Sequence, residues 1–270
     1  MNVFFSCDME GCCGVTSWLD TGDEGEDYGA FCAAQHRMTC ETAAACAAAV
    51  DAEAERILVK DAHGLGRNID LAALPEQVQV NRGWSGDIYG MMSGIHRGQW
   101  DAVCLIGYHS GAGFGGSPLG HTLSREVDSI EMNGALIDEL TLSVYTAACF
   151  GVPVCFVSGD AGVCEQAQSL IPGVATVPTG KGDGGSVTCL HPALAETRIH
   201  DTLLTQLNSG NYEQCRVELP ASFDVYVRYK NEPDAYAASF YPGAELSDER
   251  TLHFSSIDFC EILRLFHFIL

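Results

Sequence analysis

Asp8 and Glu10 stand two residues apart in the stretch SCDMEGCCG, directly behind the short apolar run NVFF. In an extended chain, residues i and i+2 project to the same side, so the two carboxylates converge with nothing local to neutralise them. That spacing asks for a cation. Two further apolar runs end in a similar way: RILVK leads into DAHG with His63, and AVCLIGY leads into HSG with His109. Carboxylate and neutral imidazole are the ordinary oxygen and nitrogen donors of catalytic zinc. Open α/β sheets bind their ligands beyond the carboxyl ends of strands. Each residue alone has a plainer reading, since strand-end histidines are commonly just hydrogen-bonded and Asp8 could simply close a turn. The recurrence at three strand ends is what makes a metal site of them. Asp61, two residues before His63, reads either as an orienting partner of an imidazole or as a turn residue.

Other motifs carry less. GAGFGG, residues 111–116, matches G-x-G-x-x-G after a strand, but a dinucleotide site needs a helix opening at the motif. SPLGHTL follows instead, so an active-site loop running to His121 is the better reading. GKGDGG has no Ser or Thr after Lys181 and fails as a phosphate loop. There is no G-x-S-x-G nucleophile elbow. A nucleotide-dependent oxidoreductase therefore rests on GAGFGG alone.

The elements that must position these residues alternate through the first two-thirds of the chain. VFFSC, RILVK, AVCLIGY and VPVCFVS read as strands, and FCAAQHRMTCETAAACAAAVDAEAE as one long alanine-rich helix. IYGMMSGIHRG reads as a short helix, IEMNG as a turn at Asn133-Gly134, and ALIDELTLSVYTAACF, AGVCEQAQSLI and HPALAETRIHDTLLTQLNS as further helices. From about Cys215 the texture changes. CRVEL and FDVYVRY alternate like half-exposed strands, EPDAYAASF reads as a short helix, TLHFSS as a strand, and DFCEILRLFHFIL as a closing helix. The expectation is an α/β protein with a largely parallel sheet flanked by helices, spanning residues 1–210, and a smaller C-terminal α+β lobe at 211–270 packed on it.

Composition bounds the partners. The 270 residues carry 36 acids against 14 bases, a formal charge of −22, which excludes nucleic acid and anionic membrane surfaces as targets. No run is long enough to span a membrane and the N-terminus lacks a basic, apolar leader. Thirteen cysteines include no C-x-x-C pair. They read as reduced thiols in a cytoplasmic protein, with Cys104, Cys149 and Cys155 as small buried apolar residues.

Assembled in order, these segments resemble the zinc-dependent D-aminopeptidase family of the DppA type. Its S-x-D-x-E-G signature stands intact as Ser6, Asp8, Glu10 and Gly11, followed by DAHG, GMMSGI, GYH, His121, DEL, GVPVCFVSGD and ASFYPGAELSDERTLHF. The resemblance implies two Zn2+ per subunit bridged by Asp8. Glu10 and His63 would complete one site, His109 and Glu139 the other, and His121 would act in catalysis. It also implies a short peptide substrate and a homodecamer of two stacked five-membered rings. Glu139 would not be singled out otherwise, although Leu136 and Leu140 set it near the edge of an apolar face. Cys12 and Cys13 depart from the family's apolar or small residues; they read either as soft ligands that would alter the metal content or, more simply, as buried filler. The implied chemistry is hydrolysis of the N-terminal peptide bond of D-Ala-type peptides by a metal-activated water, with His121 handling protons. The alternatives are an amide hydrolase with an L- or non-peptide substrate, and a non-catalytic dipeptide- or metal-binding protein.

Overall fold

The computed structural model describes residues 1–22 and 27–270. Twelve strands form among these residues: β1 Asn2–Cys7, β2 Arg56–Asp61, β3 Val78–Asn81, β4 Ala102–Tyr108, β5 Val127–Met132, β6 Ala135–Leu136, β7 Val154–Asp160, β8 Ala175–Asp183, β9 Ser186–Cys189, β10 Phe223–Tyr229, β11 Glu245–Asp248 and β12 Thr251–Ser256. The helices are α1 Trp18–Thr21, α2 Tyr28–Asp51, α3 Glu139–Cys149, α4 Ala161–Leu170, α5 Pro192–Asn208, α6 Glu232–Ala238 and α7 Phe259–Ile269.

A seven-stranded sheet runs in the order β3-β2-β1-β4-β7-β8-β9, parallel except for the β8-β9 pair. Its central strands are apolar throughout because both faces are covered: every residue of β4 and β7 is buried. The alanine-rich α2 begins at Asp27, whose carboxylate accepts the Ala30 N–H. Ala45, Cys46, Ala48 and Ala49 of α2 lie in the core formed with Phe4, Phe5, Val59 and Val103. The mainly parallel α/β architecture read from the sequence is the one observed.

A second, antiparallel sheet runs β11-β12-β10-β5-β6. Its apolar side packs on α7 through Val225, Val227, Leu252, Ile262 and Phe266. This sheet draws β5 and β6 from residues 127–136, because the Asn133-Gly134 turn closes a hairpin that pairs with β10. The chain therefore leaves the first core, adds a hairpin to the second, and returns. A boundary near residue 210 stands as a proposal for where the second lobe's last strands and helices begin.

Local expectations differ at four places. IYGMMSGIHRG forms two single 3-10 turns, 90–92 and 95–97, because Gly94 at φ 103° interrupts any continuous helix. CRVEL is not a strand; its cysteine ends the 3-10 turn Asn211–Cys215. Strands β3, β5, β6, β8, β9 and β11 have no counterpart among the expected strands; β5 and β6 flank the expected Asn133-Gly134 turn, with β6 taking the start of the expected helix, and β3, β9 and β11 are short edge strands whose polar residues hide the alternation. Cys104 and Cys155 are fully buried as expected, but Cys149 at the end of α3 is exposed.

Candidate metal centre

β2, β1 and β4 are neighbours, and β1 and β4 flank the point where strand order reverses from leftward to rightward growth. Such a switch point leaves a crevice outside the carboxyl ends. Into it β1 delivers Asp8 and Glu10, β2 delivers His63, and β4 delivers His109. Two more groups arrive from elsewhere: Glu139 from the start of α3, and His121 from the loop between β4 and β5.

Asp8 sits at the middle. Its Oδ1 lies 3.4 Å from His63 Nδ1 and its Oδ2 lies 3.4 Å from His109 Nε2. On one side His63 Nδ1 also faces Glu10 Oε2 at 3.0 Å. On the other, His109 Nε2 faces Glu139 Oε2 at 3.2 Å, and His121 Nε2 lies 3.7 Å from Glu139 Oε1. Asp8, Glu10 and His63 form one three-donor group with ligand atoms within 4.8 Å of one another, and His109, His121 and Glu139 form a second. All five residues expected to ligate metal, with His121, are thus brought together.

The three imidazoles are oriented in the same manner. Each turns one ring nitrogen to a backbone carbonyl 2.9 Å away: His63 Nε2 to Thr21, His109 Nδ1 to Ser110, and His121 Nδ1 to Leu119. Donation of that N–H leaves the other nitrogen, with its lone pair, facing the carboxylates. This is how metal-binding histidines are held. Asp8 Oδ2 and His109 Nε2 are buried without a hydrogen-bond partner among the described residues, and a shared cation would satisfy both.

The electrostatics carry the same demand. Three buried carboxylates beside three imidazoles leave a deficit of positive charge in a low-dielectric site. Burial, helped by Glu10, pushes the Asp8 carboxyl up to about 8. Burial opposes charge on His63 and His109 too, yet the facing carboxylates raise both imidazoles well above their ordinary range. Burial also works against the Glu10 and Glu139 carboxylates, but the adjacent imidazoles hold both below the usual range. The donor set fits a divalent metal pair: oxygen and nitrogen donors, a shared carboxylate, and oriented lone pairs.

The surrounding residues explain the signature. Ser6 Oγ donates to the Met91 carbonyl at 2.7 Å and meets Tyr108 Oη at 2.8 Å, which in turn meets Ser143 Oγ at 2.9 Å. That chain ties β1, β4 and α3 to the 90–92 turn beneath the site. Gly11 lets the chain turn against β4, and a Cβ there would lie 1.7 Å from the Tyr108 carbonyl oxygen. Asp138 and Glu139 divide their work by position. Asp138 is the N-cap of α3, accepting from Thr141 N–H at 2.8 Å and Thr141 Oγ1 at 2.9 Å. Glu139, in the first turn, is left to face the histidines. The helix start four residues into ALIDELT is what makes this acid a site residue. Asp160 caps α4 and also accepts from Ser110 N–H at 2.7 Å and Ser110 Oγ at 2.8 Å, fixing the turn that carries His109.

Two alternatives left open by the sequence are resolved by the fold. Asp61 does not touch the His63 ring. Its oxygens accept from Asn68 N–H, Asn68 Nδ2 and Ile69 N–H, because these donors fold over the strand end. It shapes the turn, and Asn68 Nδ2 then holds the His63 carbonyl at 2.7 Å. Cys12 and Cys13 belong to neither donor group. Cys12 Sγ points to the Asp8 carbonyl at 3.4 Å and Cys13 Sγ to the Leu190 carbonyl at 2.8 Å. Burial raises both thiols.

The site opens into a cavity of about 470 Å³ lined by Asp8, Glu10, His63, His121, Trp84, Met91 and the 123–126 segment. GAGFGG forms loop, with no helix until α3, so it lacks the helix N-terminus a pyrophosphate needs.

The profile of the D-aminopeptidase family matches residues 1–268. A curated D-aminopeptidase of Bacillus subtilis (strain 168) is 27% identical over 268 residues, covering 97% of this chain and 93% of its own. Among solved structures, the Zn-dependent D-aminopeptidase DppA from Bacillus subtilis, described as a self-compartmentalizing protease, superposes with a TM-score of 0.90 at 24% identity. That match covers 100% of this chain and 96% of the other.

Proposed function

The chain belongs to the D-aminopeptidase family, and from that premise we propose a dinuclear zinc aminopeptidase that removes N-terminal D-residues of the D-Ala type from short peptides. The observation that carries this reading is Asp8, which faces His63 with one carboxylate oxygen and His109 with the other. Asp8, Glu10 and His63 would hold one zinc, and Asp8, His109 and Glu139 would hold the second. When bound there, such metals would supply Lewis acidity toward the scissile carbonyl and a lowered pKa for a coordinated water.

The protein's own groups do the rest. His121 is the proton-handling residue. Its side chain keeps 14% of its surface exposed, against at most 5% for the other five groups, so it is the most accessible of the six to a substrate in the cavity. With Nδ1 fixed on the Leu119 carbonyl, proton exchange is confined to Nε2, which delivers a proton to the leaving amine. The free α-ammonium of the substrate is attracted by a cavity whose wall includes Glu10, Glu126 and Glu139. Leu123 N–H donates to Glu139 Oε1 at 2.7 Å and keeps that carboxylate turned to its metal position.

A cytoplasmic enzyme assembled as a decamer of two five-membered rings is part of the same proposal; the related DppA is described as self-compartmentalizing. No helix among the described residues is long and apolar enough to cross a membrane. The strongly acidic surface leaves no role for nucleic acid.

The deciding experiment compares alanine release from D-Ala-D-Ala and L-Ala-L-Ala by zinc-loaded protein, before and after chelation. Turnover of the D-form alone, lost on chelation and restored by zinc, supports the proposal. Cleavage of the L-form alone leaves a metal-dependent peptidase of other stereochemistry. Silence on both with two zinc ions bound points to another amide substrate or a binding role.

A further inference from the structure

Behind Glu139 the site cavity meets a second, apolar chamber of about 330 Å³. Trp84, Met91, Leu123 and Glu139 line both spaces, so the two adjoin across these residues beside the candidate metal centre. The chamber's far walls are the 88–92 segment, Leu142 and Thr146 of α3, and Leu263 and Phe266 of α7. Nothing in the hydrolytic chemistry requires this chamber.

Two of the shared residues are large apolar side chains left open to solvent, Trp84 at 45% and Leu123 at 40%. Exposed apolar surface at the lip of a cavity marks a contact for a ligand. Trp84 is also held in place: its indole N–H donates to the Gly64 carbonyl at 2.7 Å, and Lys60 Nζ lies 4.0 Å from the ring centroid. Lys60 itself is fixed on the carbonyls of Asp61 and Gly83 at 2.7 and 2.8 Å. A rigid aromatic lip opening onto an apolar space beside the reacting centre is the arrangement of a side-chain specificity pocket.

We propose that this chamber receives a bulky apolar side chain next to the scissile bond, so that the substrates best suited to the enzyme carry a leucine- or phenylalanine-like D-residue at their N-terminus. This rests on the aminopeptidase reading but departs from its D-Ala-type side chain, placing a larger apolar class first. A methyl group reaches little of the chamber. Each additional buried methylene adds discrimination in favour of the larger substrate.

The test measures kcat/KM of the zinc-loaded enzyme on D-alaninamide, D-leucinamide and D-phenylalaninamide, which share one leaving group. The expected result is a preference of about tenfold or more for the larger side chains over alanine. Narrowing the chamber from two walls, with Ile88→Trp and separately with Leu263→Phe, should shrink that preference by about tenfold relative to the alanine substrate. Each variant's melting temperature and zinc content identify any that fails to fold, and the other then serves. Hydrolysis of D-alaninamide as well as or better than D-leucinamide overturns the chamber proposal while sparing the aminopeptidase reading. Inactivity on all three amides overturns both. A preference unchanged in both folded variants, or a change in oligomeric mass without a change in preference, also overturns it.

Discussion

The imidazoles of His109 and His121 lie face to face, with ring centroids 4.4 Å apart and planes inclined by only 7°. Trp18 also meets His121, edge to face at 5.2 Å. His121 therefore packs against both the buried His109 and Trp18, its Nε2 lies 3.7 Å from Glu139 Oε1, and it lines the cavity. Replacing it by alanine should cost on the order of 10²- to 10⁴-fold in kcat and leave zinc per chain unchanged. Metal analysis and steady-state kinetics on the same preparation check this. A loss of one zinc would make His121 a ligand, and unchanged turnover would remove it from the mechanism.

Asp8 faces His63 with one oxygen and His109 with the other; on the proposed reading it would serve both metal positions, so Asp8→Asn keeps the shape but removes the charge they would share. The expected outcome is loss of zinc from both positions and a fall in activity beyond the roughly 10- to 100-fold typical of residues that only support a ligand. Ligand-linked stability gives a second readout. Chelation should lower the melting temperature of the parent, because a metal that binds only the folded chain stabilises it. The variant's melting temperature should barely respond. Equal responses in the two proteins would separate Asp8 from metal binding.

Much of this centre was legible in the sequence, and the reason is topological. Apolar β1, β2 and β4 announce themselves as buried strands, and parallel neighbours deliver whatever follows them to one edge. Asp8, Glu10, His63 and His109 need only that argument. Glu139 does not yield to it. Its role depends on α3 starting at residue 139 with Asp138 as cap, whereas propensity alone extends that helix back to 135. Resemblance to a family supplied this acid. The second sheet was only half legible, since the pairing of β5 with β10 joins residues about a hundred positions apart and no local pattern encodes it. The apolar chamber is further out of reach, because α7 closes it from the far end of the chain.

Gly11 is needed for space more than for flexibility. Its N–H donates to the Gly107 carbonyl at 2.8 Å, which presses the segment after β1 onto β4. A methyl group in Gly11→Ala would meet the Tyr108 carbonyl oxygen, a backbone atom that cannot rotate away. A loss of more than about 3 kcal/mol is expected, in the range of severe packing defects. Gly185→Ala is the control, since a Cβ there meets nothing within 4 Å, and its melting temperature should stay near the parent's. If Gly11→Ala melts like the control, the close approach of the two segments is not what the signature glycine provides.

Glu41 offers a pH dependence separable from the metals. It is buried on α2, where Oε1 accepts the Cys13 N–H at 2.7 Å while Oε2 has no hydrogen-bond partner among the described residues. Burial raises this carboxyl to about 7, with the Cys13 N–H pulling the other way. The folded chain thus binds the proton more tightly than the unfolded chain. The stability that Glu41 contributes is complete below the ordinary carboxyl range near 4.5 and is lost as pH rises through about 7. Above that, a buried carboxylate costs roughly 3 kcal/mol, since each tenfold difference in proton affinity between the folded and unfolded chains is worth about 1.4 kcal/mol. Glu41→Gln keeps the acceptor for Cys13 and cannot ionise. Its stability relative to the parent should therefore climb by about 2–3 kcal/mol between about pH 5 and about pH 8.5. Urea unfolding of both zinc-loaded proteins at each pH measures this, and the shared pH dependence of zinc binding cancels in the comparison. A difference that stays flat across the range would mean that Glu41 is already ionised in the folded protein at the acidic end, with a partner for its second oxygen.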